Sequence, residues 1–181
     1  WVLTSYIVAA AIMMPLTGWL AGRFGIKYIF LASVGGFTVA SALCGAAGSL
    51  YQLVIYRALQ GVCGAGLIPL SQATLLRINP PERHGQAMAI YGIGTIMGPI
   101  SGPLLGGWLT QNYSWRWIFY VNLPIGILCT IGIMVFIRYT RSGHHEPFDG
   151  FGFIALSLGV GALQLMLDRG ELKDWFHSRE I

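Results

Sequence analysis

Apolar residues in this chain gather into six runs, separated by short breaks rich in glycine or polar residues. The runs fall at about Trp1 to Ala21, Tyr28 to Gly48, Tyr51 to Leu75, Ala87 to Leu109, Trp117 to Ile137 and Gly150 to Leu167. Five of them reach the roughly 18 to 20 residues that a helix needs to cross hydrocarbon, and the last lies near that limit. None alternates apolar and polar positions with a period of two, and all are too long for barrel strands. Within a bilayer the backbone must satisfy its own hydrogen bonds, so such runs predict helices. The predicted fold class is all-α integral membrane, with six transmembrane helices.

The charged positions orient these helices. Gly22 to Lys27 carries Arg23 and Lys27, Arg77 to Gln86 carries Arg77 and Arg83, and Arg138 to Asp149 carries Arg138 and Arg141. The alternate connections are poorer: Ser49-Leu50 has no charge, and Thr110 to Arg116 has one. By the positive-inside rule the three basic connections are cytoplasmic, so the chain starts outside and residues 168–181 lie outside again. Trp1, Trp19, Trp108, Trp115, Trp117 and Trp175 mark span ends or an exterior loop, as an aromatic belt requires.

Composition narrows the class further. Hydrophobic residues make up 55% of the chain and charged residues 10%, which excludes an ordinary soluble domain. The net charge of +4 is spread over short connections and forms no stripe, so nucleic acid is not an expected partner and the lipid bilayer is. Cys44, Cys63 and Cys129 lie in separate spans and are read as packing residues. His144, His145 and Glu146 form a minimal set of metal ligands, but in a hydrophilic loop without helical context they read as solvated, and no metal site is expected. No phosphate-binding loop, zinc-hydrolase motif or nucleophile elbow is present, and no enzyme activity is expected.

Local signals mark the span ends. Asn79-Pro80-Pro81-Glu82 reads as an N-cap, two prolines in a first turn and a capping-box glutamate, opening the fourth span. Asp149 reads as the N-cap of the sixth. Glycines at 94, 98, 102 and 106 recur every fourth residue, with Pro99 and Pro103 beside them. Such a ridge lets a neighbouring helix approach closely, and the prolines localise a bend.

The outstanding position is Arg57, a cation inside the apolar run LVIYRALQGVCGAGLIPL. A charge at the centre of a spanning helix costs about 2.5 to 3.5 kcal/mol on insertion scales, so it faces a polar pathway or a partner within the bundle. Six residues beyond Tyr51, it also lies close enough to the outer interface to snorkel. Gln60, Gly61 and Gly64 nearby favour a face packed against protein. The first five spans contain no Asp or Glu, so Arg57 has no evident counterion in this chain.

Three segments resemble the major facilitator superfamily, specifically its 14-span drug:proton antiporters of the EmrB/QacA type. Gly18-Trp19-Leu20-Ala21-Gly22-Arg23-Phe24-Gly25-Ile26-Lys27 is similar to the superfamily's loop motif after helix 2, G-x-L-a-D-r-x-G-r-k. Gly22 stands where that motif has its aspartate, and Ile26 replaces a basic residue. Gly18, Arg23, Gly25 and Lys27 remain as gating candidates, in a lock that must be weaker or built otherwise. Leu53 to Gly66 carries Arg57, Gln60, Gly61, Gly64 and Ala65 in the order of the helix-4 motif, and the resemblance implies proton coupling for Arg57 with Gln60 beside it. Gly98, Pro99, Gly102, Pro103, Gly106 and Gly107 resemble the helix-5 motif of antiporters. Trp115 to Gly126, Leu167 to Gly170 and Asp174-Trp175-Phe176 extend the likeness along essentially the whole chain.

The resemblance implies an alignment with helices 2 to 7 of fourteen, and Trp1 in place of an initiator methionine agrees with a piece of a longer protein. Residues 1–137 then correspond to helices 2 to 6 of the N-terminal half. Residues 138–149 are a cytoplasmic loop, 150–167 an additional helix 7, and 168–181 an exterior segment. The expected function is secondary active efflux of lipophilic or amphiphilic compounds in exchange for protons, with no cofactor beyond the proton gradient, in the inner membrane. By analogy a periplasmic adaptor and an outer-membrane channel are partners. The counterion of Arg57 is expected on a helix outside this chain, with Asp168 as the local alternative. A proton-coupled nutrient symporter of the same superfamily and a non-transporting membrane scaffold are the competing readings.

Overall fold

A computed structural model describes residues 1–137 and 148–170, the side chains of 168–170 excepted. The readings made of Arg138, Arg141, His144, His145, Glu146, Asp174 and Trp175, and of the side chain of Asp168, lie outside the described residues. Among those described there are eight α-helices and no strand. They are α1 (Val2–Phe24), α2 (Ile26–Ala46), α3 (Leu50–Gly64), α4 (Leu67–Ile78), α5 (His84–Asn112), α6 (Trp117–Tyr120), α7 (Asn122–Phe136) and α8 (Gly150–Gly170). Joined end to end where they continue one another, they make six stretches long and apolar enough to cross a membrane.

Two predicted spans are interrupted. The third divides into α3 and α4 at Ala65-Gly66, four and three residues before Pro69, and the fifth divides into α6 and α7 at Val121, three before Pro124. A proline lacks the amide that would bond four residues back and crowds that carbonyl, which here belongs to Ala65 and Tyr120. Pro15, Pro99 and Pro103 lie within uninterrupted helices, so proline is not decisive by itself. At 65–66 the flanking glycines remove further resistance to the break.

Two connections also differ from expectation. The predicted loop Gly22 to Lys27 shrinks to one residue, because α1 runs on to Phe24 and α2 begins at Ile26. Gly25 reverses the chain with φ at 92°, a left-handed conformation that glycine adopts without a Cβ clash. Asn79 does not open the fourth span but closes α4, donating from Nδ2 to Leu75 O at 2.9 Å. Pro81–Arg83 then form a 3-10 turn with Glu82 exposed, and α5 starts at His84. The Asp149 cap is present as expected: its Oδ1 accepts from Gly152 N at 2.9 Å. A cap at Ser49, accepting from Gln52 N at 3.2 Å, starts α3, while Gln52 Oε1 accepts from Gly48 N at 2.9 Å.

The core is α2, packed on α3, α4, α6 and α7, with α1 across α3 and α8 along the other side of α1. Lipid offers apolar side chains no reason to leave it, so membrane helices associate through close packing of small residues. A Cβ on Gly61 would collide with the Tyr6 carbonyl oxygen of α1, and one on Gly126 with the Thr38 hydroxyl of α2. At Gly45 it would come within 2.6 Å of the Tyr120 ring. The buried residues of α2 are Ser33, Val34, Ala40, Ser41, Cys44 and Gly45, none of them large.

The bundle has two distinct ends. Ile26 and Lys27, Arg77 and Ile78, and Phe136 and Ile137 line one cavity, so the first two basic connections and the end of α7 meet at the same end. The start of α3 meets Trp115 and Arg116 at the other, where Trp108, Tyr113, Trp117 and Tyr120 form a chain of ring contacts. α8 runs antiparallel to α1, with Phe148 against Trp19 at 4.8 Å between ring centroids and Gly161 beside Ile12.

Candidate coupling site around Arg57

Arg57 sits two turns into α3, half-buried, with its guanidinium held by protein on several sides. Its Nε donates to Val2 O of α1 at 3.4 Å, and Nη1 donates to Gln60 Oε1 at 3.0 Å. The guanidinium carbon lies 4.7 Å from the centre of the Tyr6 ring and 5.6 Å from that of Phe119. Rings facing a partly desolvated cation attract it through their quadrupoles, by about 1 to 2 kcal/mol each. Helices α1, α3 and α6 thus converge on one charge, and its hydrogen bonds go to protein, unlike those of a side chain snorkelling to the interface. Among the described residues Arg57 makes no ion pair.

Gln60 explains part of this placement. One turn after Arg57 on α3 and 1% exposed, it puts its amide oxygen where the guanidinium can reach it. Cys44, fully buried on α2, places its Sγ 3.7 Å from the same oxygen. All three cysteines are free.

A second layer of polar contacts supports the first. Asn122 Nδ2 donates to Ser41 Oγ at 3.0 Å, and Ser41 Oγ donates to Phe119 O at 3.0 Å. These bonds tie the break between α6 and α7 to α2 and fix the turn that carries the Phe119 ring. Arg116 Nη1 donates to Gly45 O at 3.0 Å, placing a cation on the last turn of α2, where the helix dipole favours it. Tyr6, Ser41, Phe119 and Asn122 were not among the candidates read from the sequence. Ser41 and Asn122 carried a signal there, as hydrogen-bonding side chains within apolar spans, whereas nothing local marked the two rings.

A sequence profile described as Major Facilitator Superfamily matches residues 1–176. The chain belongs to that superfamily. It is 49% identical over its whole length to the multidrug export protein EmrB of Haemophilus influenzae and 45% identical to that of Escherichia coli. It is also 44% identical to the fatty acid resistance protein FarB of Neisseria gonorrhoeae. In each case the match covers 36% of the relative, so the chain spans about a third of the length of these proteins. Family and fold together make it a multi-pass membrane protein.

The other superfamily motifs occupy separate places. Of the gating candidates, Gly18 has open space where a Cβ would stand, as does Gly22 at the substituted aspartate position. Arg23 stacks on Trp19 at 5.3 Å and is otherwise exposed, Gly25 forms the reversal, and Lys27 Nζ donates to Met134 O near the end of α7 at 2.9 Å. The helix-5 motif lies on α5, which runs through Pro99 and Pro103 and buries none of its residues. A Cβ at Gly98, Gly102 or Gly107 would meet nothing within 4 Å, and one at Gly106 would just touch Ile118. Neither segment approaches Arg57. The backbone of position 168 lies in the last turns of α8, at the end of the bundle where α1 begins.

Proposed function

We propose that this chain is part of a secondary active exporter that expels lipophilic or amphiphilic compounds in exchange for protons by alternating access. The observation that carries the reading is the restrained Arg57, which makes no ion pair among the described residues. A cation tethered by Val2 O and Gln60, between two rings, is a fixed electrostatic reference within the membrane. An acidic group brought against it is held ionised and gives up its proton. Withdrawn into apolar surroundings, the same group takes one up. Alternating access that moves the acid towards and away from Arg57 thereby couples proton passage to the transport cycle.

The acid is supplied from a helix outside this chain, with Asp168 as the local alternative. Substrate binds between this half of the transporter and a second half, as in superfamily architectures built from inverted repeats. The ridge of α5, with Gly98, Pro99, Gly102, Pro103, Gly106 and Gly107, helps to seal one face, and Gly18, Arg23, Gly25 and Lys27 belong to the cytoplasmic gate. The names of the relatives, multidrug export and fatty acid resistance, support amphiphilic cargo. The energy source is the proton gradient, without a bound cofactor, and the setting is the inner membrane. A periplasmic adaptor and an outer-membrane channel complete the export route.

Counterflow in sealed vesicles bearing the full-length protein tests this. Drug export is stimulated by an opposing proton gradient, and Arg57→Lys inserts normally but loses that stimulation. Lysine retains the charge yet lacks the planar fork that reaches Val2 O and Gln60 together. Stimulation by a co-directional gradient makes the protein a symporter, and near-normal export by Arg57→Lys removes the coupling role.

A further inference from the structure

The cavity at the basic end of the bundle, about 420 Å³, is formed by the start of α2 and the ends of α4 and α7. Lys27 and Arg77 line it beside Thr74, with Ile26, Phe136 and Ile137 as apolar wall, and no acidic side chain among the described residues lines it. Arg77 has no hydrogen-bond or ionic partner among the described residues. Lys27 uses one of its three donors on Met134 O. Two cations that converge on one hollow without a carboxylate repel each other unless an anion joins them.

Helix C-termini normally disfavour an anion, because their free carbonyls point outward. Here several are already engaged. Asn79 Nδ2 donates to Leu75 O, and Lys27 covers Met134 O. His84 Nε2 lies 2.9 Å from Leu76 O and 3.0 Å from Asn79 O, so that nitrogen carries the proton and donates to them.

A second cavity, about 390 Å³, adjoins the first and shares Ile137 with it. It is an apolar groove between the same helices, bounded by Phe30, Val34, Leu67, Gly132 and Ile133. A basic hollow that shares the Ile137 wall with an apolar groove matches a molecule with an anionic head and a hydrocarbon tail. We propose that these paired cavities bind an anionic phospholipid, its phosphate between Lys27 and Arg77 and one acyl chain along α2, α4 and α7. Charge complementarity selects the head, and the adjoining apolar groove favours a lipid over free phosphate.

Native mass spectrometry of the full-length protein in detergent tests the proposal, using phosphatidylglycerol and phosphatidylcholine of identical acyl chains at equal concentration. Both lipids carry the phosphate, but the quaternary ammonium of phosphatidylcholine neutralises the head and sets a third cation beside Lys27 and Arg77, so phosphatidylglycerol is retained in preference by about tenfold, roughly 1.4 kcal/mol. Arg77→Gln abolishes the preference. That residue is exposed and unpartnered among those described, so the change leaves packing intact. Gly132→Trp, placed where a Cβ meets nothing within 4 Å, fills the groove and lowers retention with both cations present. Arg23→Gln, at the same end but outside both cavities, leaves the preference unchanged. Equal retention of the two lipids, or equal losses in Arg77→Gln and Arg23→Gln, overturns the site. Displacement by millimolar inorganic phosphate, with retention unaffected by Gly132→Trp, overturns the lipid and leaves a free-anion site.

Discussion

Helices α2 and α5 are similar in sequence character and opposite in environment. Both are long, apolar and punctuated by glycine, yet α2 buries Ser33, Val34, Ala40, Ser41, Cys44 and Gly45 while α5 buries nothing across 29 residues. Gly36 and Gly45 of α2, and Gly64 and Gly126 facing it, stand against side chains of neighbouring helices, and Gly61 of α3 stands against the Tyr6 backbone of α1. Those of the α5 ridge at 94, 98 and 102 face open space. A ridge of small residues therefore identifies a surface shaped for close approach, but says nothing of which element makes the approach. In the packed region the partner lies within the chain. For α5 it does not lie among the described residues, consistent with a chain that spans about a third of its relatives.

The comparison breaks most forcefully at Gly61. A leucine there must displace the Tyr6 backbone, which cannot move without shifting α1, so Gly61→Leu costs about 3 kcal/mol or more. Thermal unfolding of the full-length protein in detergent should show the largest drop of any change considered. Gly98→Leu is its counterpart on α5. On the proposed reading its ridge meets a surface that opens and closes during transport, so export falls about tenfold while the unfolding temperature moves less than in Gly61→Leu. An equal loss of stability would make the α5 ridge a static packing surface, and the contrast with α2 would vanish.

A smaller effect is expected at Gln60, which links packing to the coupling site. Gln60→Leu keeps the volume and removes the buried acceptor of Arg57, at a cost of about 1 to 3 kcal/mol for a charged group losing its partner. The variant should insert and yet show a weakened dependence of export on the proton gradient. Normal coupling in Gln60→Leu would leave Val2 O and the two rings sufficient to hold the guanidinium.

Much of the fold was legible because bilayer thickness and backbone satisfaction translate directly into run length. The six spans and the sharing of one end by Lys27, Arg77 and Ile137 follow from those constraints. What was not legible depends on tertiary context. Pro69 and Pro124 divide their spans while Pro99 and Pro103 do not, and periodicity treats all four alike. Asn79 has the chemistry of a helix start, but its amide finds a carbonyl on the helix behind it. At the candidate site Arg57 and Gln60 were visible through charge and spacing. Tyr6 and Phe119 were hidden among other aromatics, because their role arises from helices 50 and more residues apart in sequence meeting at one point.

Helix α8 stands between the two extremes and supplies the finest test. It packs along α1, yet among its side-chain-described residues Gly161 is the one buried position. Its start is fixed instead by local bonds, with Asp149 Oδ1 accepting from Gly152 N and Phe148 lying against Trp19. Capping satisfies amides that the first turn of a helix leaves free, and the negative charge also suits that end of the dipole. Asp149→Ala should therefore cost about 1 kcal/mol, confined to the first turn of α8. Hydrogen exchange should quicken at residues 150–153 and stay unchanged at Arg57 and its neighbours. Faster exchange along the whole of α8 would mean that its seat on α1 depends on the cap, and that burial of so few residues is not enough to hold a helix of this length in place.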